Sequence, residues 1–290
     1  MKTLFLIDSH ALIHRFYHAL PPLTASDGTP TNALYGVAAT TLKILKENKP
    51  DYIAAAFDRP EATFRKEAFK EYKAQRPAAP DDLIPQLQKT REVFDAFKVK
   101  TFEIPGYEAD DIIGTLVEKF KNDPGMAGGR IIIFSGDNDV LQLVEGQKVL
   151  GQIIKTGMSE TVLYDEPGVE AKYDGLGPKR LPDYKGLIGD TSDNIPGVKG
   201  VGPKTAVTLL KDFGTIEEIF DSLAIINPKI SKKLEGQKEI ALMSKKLATI
   251  KRDVPIEIGA LESLKVQPLD REGLMAFFKK YNFSSLINRL

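Results

Sequence analysis

Residues 130–139 read RIIIFSGDND, an apolar β-branched run that breaks at a glycine and delivers Asp137 and Asp139. A run this short and apolar throughout is what a strand buried on both faces of a parallel sheet requires. Two earlier stretches share the form. TLFLI at 3–7 runs into Asp8, and IAAAF at 53–57 runs into Asp58. Val149–Ile154 supplies a fourth strand, and amphipathic stretches at 33–47, 85–97 and 109–121 supply helices between them. The alternation predicts an α/β fold with a mostly parallel central sheet and flanking helices. After Tyr173 the strand-like runs give way to lysine-dotted helical patterns. The IEI run at 256–258 is read as a late strand, and Pro268–Leu290 as a closing helix capped by Asp270.

The chain has 290 residues, 42% of them apolar, enough to bury a core and too many for general disorder. No apolar run approaches the ~20 residues of a membrane span, and no basic-then-apolar leader opens the chain. The absence of cysteine excludes a disulfide framework, thiolate zinc sites and a cysteine nucleophile. With 40 basic and 40 acidic residues the net charge is zero, so the location of each sign carries the information.

In an open parallel sheet, ligands bind at the carboxyl ends of the strands. Asp8, Asp58 and the Asp137–Asp139 pair are therefore expected on one rim. GYEADD adds Glu108, Asp110 and Asp111 at a helix start, more acid than compensation of the helix dipole requires. GDTSDN adds Asp190 and Asp193 before a glycine-rich turn. Two like charges ~4 Å apart cost on the order of 4 kcal/mol at an effective dielectric of ~20, so nine converging carboxylates need cations. All-oxygen ligation selects hard divalent ions, Mg²⁺ or Mn²⁺. Two such ions suit hydrolysis of a phosphodiester by water.

Between Asp58 and the next helix lies FRKEAFKEYKAQR, residues 64–76. As a helix it would align Lys66, Lys70 and Lys73 on one face, with Arg65, Phe69, Tyr72 and Arg76 beside them. Basic residues interleaved with aromatics grip phosphates and offer Tyr72 to an unpaired base. The segment NIPGVKGVGPKTAVTLLKDFG is the most specific motif. Gly197, Gly200 and Gly202 permit a tight turn ahead of a helix N-terminus, and Lys199 and Lys204 add charge. This is a helix-hairpin-helix pattern, which holds duplex phosphates without reading bases. A dinucleotide loop is excluded because G-x-G-x-x-G must follow the first strand. His10, His14 and His18 fall on one helical row, which rarely closes a zinc tetrahedron, so they are read as ordinary helix positions.

With LIDSHALIHR, FDRPEATFRKEAFKEYKAQR, GYEADD, SGDNDVLQL and GDTSDNIPGVKGVGPKTA in hand, the chain resembles the 5′-nuclease (flap endonuclease) superfamily. The likeness is strongest to the N-terminal 5′→3′ exonuclease domain of bacterial DNA polymerase I, and it spans essentially the whole sequence. It implies a PIN-like catalytic fold with a helix-hairpin-helix region behind it. One metal is then expected near Asp8, Asp58, Glu108 and Asp110, with Asp111 adjacent. The other is expected near Asp137, Asp139 and Asp193, with Asp190 alongside. The basic segment corresponds to an arch over the site, which makes Lys73 and Arg65 the matches for scissile-phosphate contacts and Tyr72 the match for stacking. Arg15, Lys66, Lys70 and Arg76 are further DNA-binding candidates. Gly197–Lys204 match the hairpin, whose carbonyls in relatives also hold K⁺. Asn138 departs from the lysine usual between the two aspartates.

The expected organisation is a catalytic unit over 1–180, with the arch at about 62–84, and a DNA-gripping unit over 181–290. Expected partners are DNA with a 5′ flap, nick or 5′ end and RNA primer–DNA hybrids. The implied protein is a monomer in the bacterial cytoplasm at the nucleoid, either free-standing or followed by a polymerase domain. Two rival readings remain at this level. One is a PIN-type ribonuclease, which lacks the hairpin and is about half as long. The other is a non-catalytic duplex binder, which leaves the acids unexplained.

Overall fold

The computed structural model describes residues 1–156 and 160–290. Six strands form one sheet: β1 (Thr3–Asp8), β2 (Tyr52–Ala56), β3 (Lys100–Phe102), β4 (Arg130–Ser135), β5 (Val149–Thr156) and β6 (Glu160–Tyr164), in the order β3-β2-β1-β4-β5-β6. β1 to β5 run parallel, and β6 returns antiparallel against β5. The crossovers are α1 (Ser9–Ala19) and α2 (Asn32–Lys43), a single-turn α3 (Phe64–Ala68), α4 (Ile84–Ala96) and α5 (Ala109–Phe120).

β1 and β4 are apolar throughout because the sheet is covered on both faces. Leu4, Leu6, Ile131 and Ile133 pack with Ile112, Ile113 and Leu116 of α5 on one side. Phe5, Ile7, Ile132 and Phe134 pack with α1, α2 and α4 on the other. Each such buried side chain contributes roughly 1.5–3 kcal/mol, and a polar residue in either register would face a core.

From Glu166 the chain is helical: α6 (Glu166–Lys172), α7 (Leu181–Ile188), α8 (Pro203–Phe213), α9 (Ile216–Asp221), α10 (Pro228–Leu234) and α11 (Lys238–Ala248). These helices have their own apolar cluster, centred on Leu187, Ala206, Leu210, Ile216, Leu234 and Ala241. The tail ends in α12 (Arg271–Lys280) and α13 (Ser284–Ile287). Asp270 caps α12 by accepting from the Gly273 N–H, as its place before the apolar-periodic segment predicts. Phe278, Tyr281 and Phe283 then close the fold against Phe94 and Phe97.

Two expectations need correction, and two edge strands went unread. Residues 256–258 form no strand; Ile256 and Ile258 instead pack as a loop over the α5 face. β3 and β6 lie at the two sheet edges, where half-polar sequences such as KTF and ETVLY lack the two-sided apolar signature. The basic segment is not one helix. α3 stops at Ala68, and the remainder is turns, with Lys73 at φ 53°.

Candidate active site

The strand order reverses between β1 and β4, and that switch point is where a doubly wound sheet opens a crevice. Asp8 ends β1 and caps α1, its Oδ1 accepting from the Ala11 N–H at 3.0 Å. Its Oδ2 accepts from the Ser135 hydroxyl at 2.6 Å, and that hydroxyl in turn accepts from the Asp137 N–H at 2.9 Å. Ser135 therefore ties the ends of β1 and β4 together. Asp58, just past β2, accepts from the Ala109 N–H at 2.6 Å, which fixes the start of α5 and with it Glu108 and Asp110.

Asp8, Asp58, Glu108, Asp110 and Asp137 line one cavity of about 370 Å³, together with His10, His14, His18 and Arg15 of α1 and Lys73 and Arg76 of the arch segment. A smaller adjoining cavity is lined by Glu108, Asp110, Asp137, Asp139 and Asp193 with Arg65, Tyr72 and Lys73. Asp190 joins the row through Lys185, whose ammonium contacts Asp139 and lies 2.6 Å from Asp190. Eight of the nine predicted carboxylates thus form one continuous rim, drawn from segments more than 180 residues apart in sequence.

Asp111 is the exception and corrects the expectation of a ninth rim acid. It is fully buried. Its Oδ1 accepts from Arg65 Nη2 at 2.8 Å and the Lys251 N–H at 2.8 Å, and its Oδ2 from Arg65 Nη1 at 2.7 Å and the Glu108 N–H at 3.1 Å. Arg65 is equally committed, donating also to the carbonyls of Leu247 and Thr249, so it is not free to meet a phosphate. The pair anchors the base of the arch to α5 and the end of α11. Tyr72 is also corrected as an exposed stacking face. Its ring is buried, and its hydroxyl proton is shared between Glu108 Oε2 at 3.0 Å and Asp193 Oδ2 at 2.9 Å. Burial, then the charges of Glu108 and Asp193, raise its pKa, so the hydroxyl stays a donor.

The arch segment lies latched over the rim. Lys73 pairs with Glu108 at 2.7 Å, and its N–H donates to the Asp193 carbonyl at 2.9 Å. Arg76 pairs with Asp193 at 2.6 Å, and Asn194 donates to the Glu71 carbonyl at 2.7 Å. Lys66 donates to the Tyr72 carbonyl, whereas Lys70 projects into solvent. Arg15 donates to the Lys155 carbonyl.

The electrostatics divide the rim. Desolvation, followed by the charges of Asp8, Asp137, Asp139 and Asp58, holds Asp110 well above the usual carboxylate range. Desolvation pushes Asp8 up to about 6 against its two hydrogen bonds, and Asp139 up to about 7 against Lys185. Among the described residues no three His, Asp or Glu side chains are arranged to hold a metal ion as they stand. The donor set nevertheless fits hard divalent cations: it is all oxygen, crowded, and short of positive charge at Asp110. The arch and Lys185 supply substitute cations for the remainder. Lys185 was missed in the sequence, where only its place one helical turn before GDTSDN marks it.

The hairpin joins α7 to α8. Gly197 (φ 63°) lies so close to the Ile188–Gly189 backbone that a Cβ would fall 2.2 Å from the Gly189 nitrogen. Gly200 has φ 85°, and Gly202 leads into α8. Lys199 and Lys204 are exposed there. The Lys199 N–H donates to Gln237, and the Lys233 ammonium lies 3.0 Å from the Gly200 carbonyl.

Comparison with known proteins agrees with this geometry. Residues 3–174 match the family described as 5′-3′ exonuclease, N-terminal resolvase-like domain, and residues 176–272 match 5′-3′ exonuclease, C-terminal SAM fold. The chain is 43% identical over 289 residues to DNA polymerase I of Caldicellulosiruptor bescii, covering 99% of this chain and 33% of that protein. It is 36% identical over 290 residues to a 5′-3′ exonuclease of Aquifex aeolicus, covering 100% of this chain and 96% of that one. The bacteriophage T5 5′-exonuclease, solved with zinc bound, superposes with a TM-score of 0.68 at 23% identity, covering 85% of this chain and 89% of that one. The chain spans about a third of the length of the DNA polymerase I relatives it matches. The crevice at the β1–β4 switch point, the acidic rim and the two family matches lead to one assignment: the chain belongs to the 5′-3′ exonuclease family of phosphodiester-hydrolysing nucleases.

Proposed function

We propose that this chain is a structure-specific 5′→3′ exonuclease and flap endonuclease that removes 5′ ends, flaps and RNA primer ends in replication and repair. The observation that carries it is the rim itself: eight carboxylates from distant segments meet at the switch point, beneath a segment bearing Lys73 and Arg76. Asp8, Asp58, Glu108 and Asp110 would hold one Mg²⁺ or Mn²⁺ ion, and Asp137, Asp139, Asp190 and Asp193 the other. Such ions supply an activated water and neutralise charge on the reacting phosphate.

The chain's own residues do the rest. Lys73 and Arg76, released from Glu108 and Asp193, steady the phosphate. Tyr72 ties the segment to the rim through Glu108 and Asp193. Lys66 and Lys70 line the passage, and Arg15 guards its wall. Gly197, Lys199, Gly200, Gly202 and Lys204 hold the downstream duplex by its phosphates. A potassium ion at the hairpin carbonyls would have to displace the Lys233 ammonium from Gly200. Functionally the chain divides near residue 180 into a cutting unit and a gripping unit that act as a monomer. The unit suits either setting its relatives offer, as one part of a longer DNA polymerase I or as nearly the whole of a 5′-3′ exonuclease.

A labelled 5′-flap duplex incubated with Mg²⁺, Mn²⁺ or chelator tests this. Release of the flap with either metal and none with chelator is expected. Cleavage of single-stranded RNA in preference to the flap, or no metal-dependent product, would overturn it.

A further inference from the structure

A second cavity, of about 460 Å³, opens beside the carboxylate cavity and shares His10, His14 and Asp58 with it. Its walls are apolar, with Phe57 at the end of β2, Ile13 of α1, and Ile84 and Leu87 of α4. The volume lies in the range of small-ligand sites, and the lining is mostly apolar with a few polar groups, as such sites are. The partition between the cavities is the His10–His14 pair, with ring centroids 4.7 Å apart. Burial, then His10 and Arg76, pull His14 down to about 4, so its ring is a neutral surface.

Two further features point to a ligand. Ser9 lines this cavity, is fully buried, and its hydroxyl has no hydrogen-bond partner among the described residues. A buried polar group left unpaired costs free energy, so a site that supplies its partner is favoured. The cavity also ends a path. Shared lining residues order the sites from Lys185, Asp190 and Asp139 near the hairpin, through the small acidic cavity, to the carboxylate cavity, and then to this one. A strand whose duplex is held at the hairpin crosses the rim before it arrives here.

We propose that this cavity seats one nucleobase of the single-stranded 5′ strand, the nucleotide just beyond the bond that is cut. The base stacks against Phe57 and Leu87 on one side and the histidine partition on the other. Its polar edge meets the Gln88 amide at the rim, with the buried, unpartnered Ser9 hydroxyl behind it. Because every base has a stacking face, the seat reads the presence of a base and not its identity. The inference rests on the nuclease reading above.

The test is an abasic scan of a 5′-flap DNA. One abasic site is moved nucleotide by nucleotide along the strand, and binding is followed by anisotropy in chelator and cleavage in Mg²⁺. A base lost from its seat should weaken binding roughly five- to a hundredfold at one position beside the scissile bond, with little effect two or more nucleotides further along the flap. Ala79→Trp, which fills the cavity, should abolish that dependence, and Leu87→Ala should reduce it if the tryptophan variant fails to fold. A flat scan in the wild-type protein, or an unaltered dependence in a folded cavity variant, would overturn the seat while leaving the nuclease intact. Failure to cleave the undamaged flap would instead overturn the nuclease reading.

Discussion

The two ends of the acidic rim solve the same repulsion differently. Toward the hairpin, Asp139 and Asp190 share Lys185, Asp193 holds Arg76, and Glu108 holds Lys73 and Arg65. Toward β1 and β2, no lysine or arginine among the described residues pairs with Asp8, Asp58, Asp110 or Asp137. Asp8, Asp58 and Asp137 accept from neutral donors, His10 lies 3.6 Å from Asp58, and Arg15, Lys73 and Arg76 line the same cavity without pairing with any of the four. The first end is closed by the protein's own cations, and the second is held open at a cost. The contrast repeats within one helix. Asp111 has every lone pair occupied and belongs to the structure, while its neighbour Asp110 is crowded by four acids and serves the chemistry.

That contrast can be broken at several points. The largest effect is expected from Asp110→Asn, which should lower kcat for flap cleavage about a thousandfold by removing a cation-holding oxygen. Flap binding, read by anisotropy, should be unchanged or tighter. Cleavage within tenfold of wild type would remove Asp110 from the mechanism. Next comes Asp111→Asn, which leaves buried Arg65 with only Glu108, itself shared with Lys73, as a charge partner and should cost about 3 kcal/mol of stability by denaturant unfolding. A loss below about 1 kcal/mol would show that the Arg65–Asp111 anchor does not hold the arch base to α5.

The features of the rim legible in sequence were those carried by local pattern. RIIIF and TLFLI could only be doubly buried strands, and an acid after each had only the carboxyl edge of the sheet to occupy. The family resemblance rests on the same motifs. What stayed hidden depends on long-range partners. Nothing in GYEADD separates Asp110 from Asp111, because the difference is made by Arg65, 46 residues away, and the Lys251 backbone, 140 residues away. The basic segment reads as a helix from its residue types. Its contacts with the loop at 191–194 pull Lys73 to a left-handed conformation instead and bury Tyr72. The histidine row was visible as a row, but its place as a wall between two cavities was not.

The division into open and closed ends should also show in metal binding. Titration of Mg²⁺ into chelator-stripped protein, followed by calorimetry, should give a tighter site at the open end and a weaker one where an ion must displace Lys185. Lys185→Met removes that competitor and should tighten the weaker site about tenfold, a gain of about 1.4 kcal/mol. Equal affinities before and after the substitution would mean that the lysine does not compete.

The smallest effect concerns pH. Asp8 and Asp139 titrate near 6 and 7 in the folded chain, above their ordinary value of 3.8. A carboxyl whose pKa is raised by folding favours the folded state while protonated. Its contribution is complete below about pH 4 and lost as pH climbs through 6 to 7. Metal-free protein should therefore lose melting temperature across that window relative to its Mg²⁺ form, in which bound cations replace the protons. Asp8→Asn removes one of the charges that crowd the rim and should raise the metal-free melting temperature at pH 7.5 by a few degrees, about 1–2 kcal/mol. The same substitution should do little at pH 4.5, where Asp8 already carries a proton. A gain that is equal at both pH values would trace the stabilisation to packing, and the open end of the rim would then not be held under charge repulsion at all.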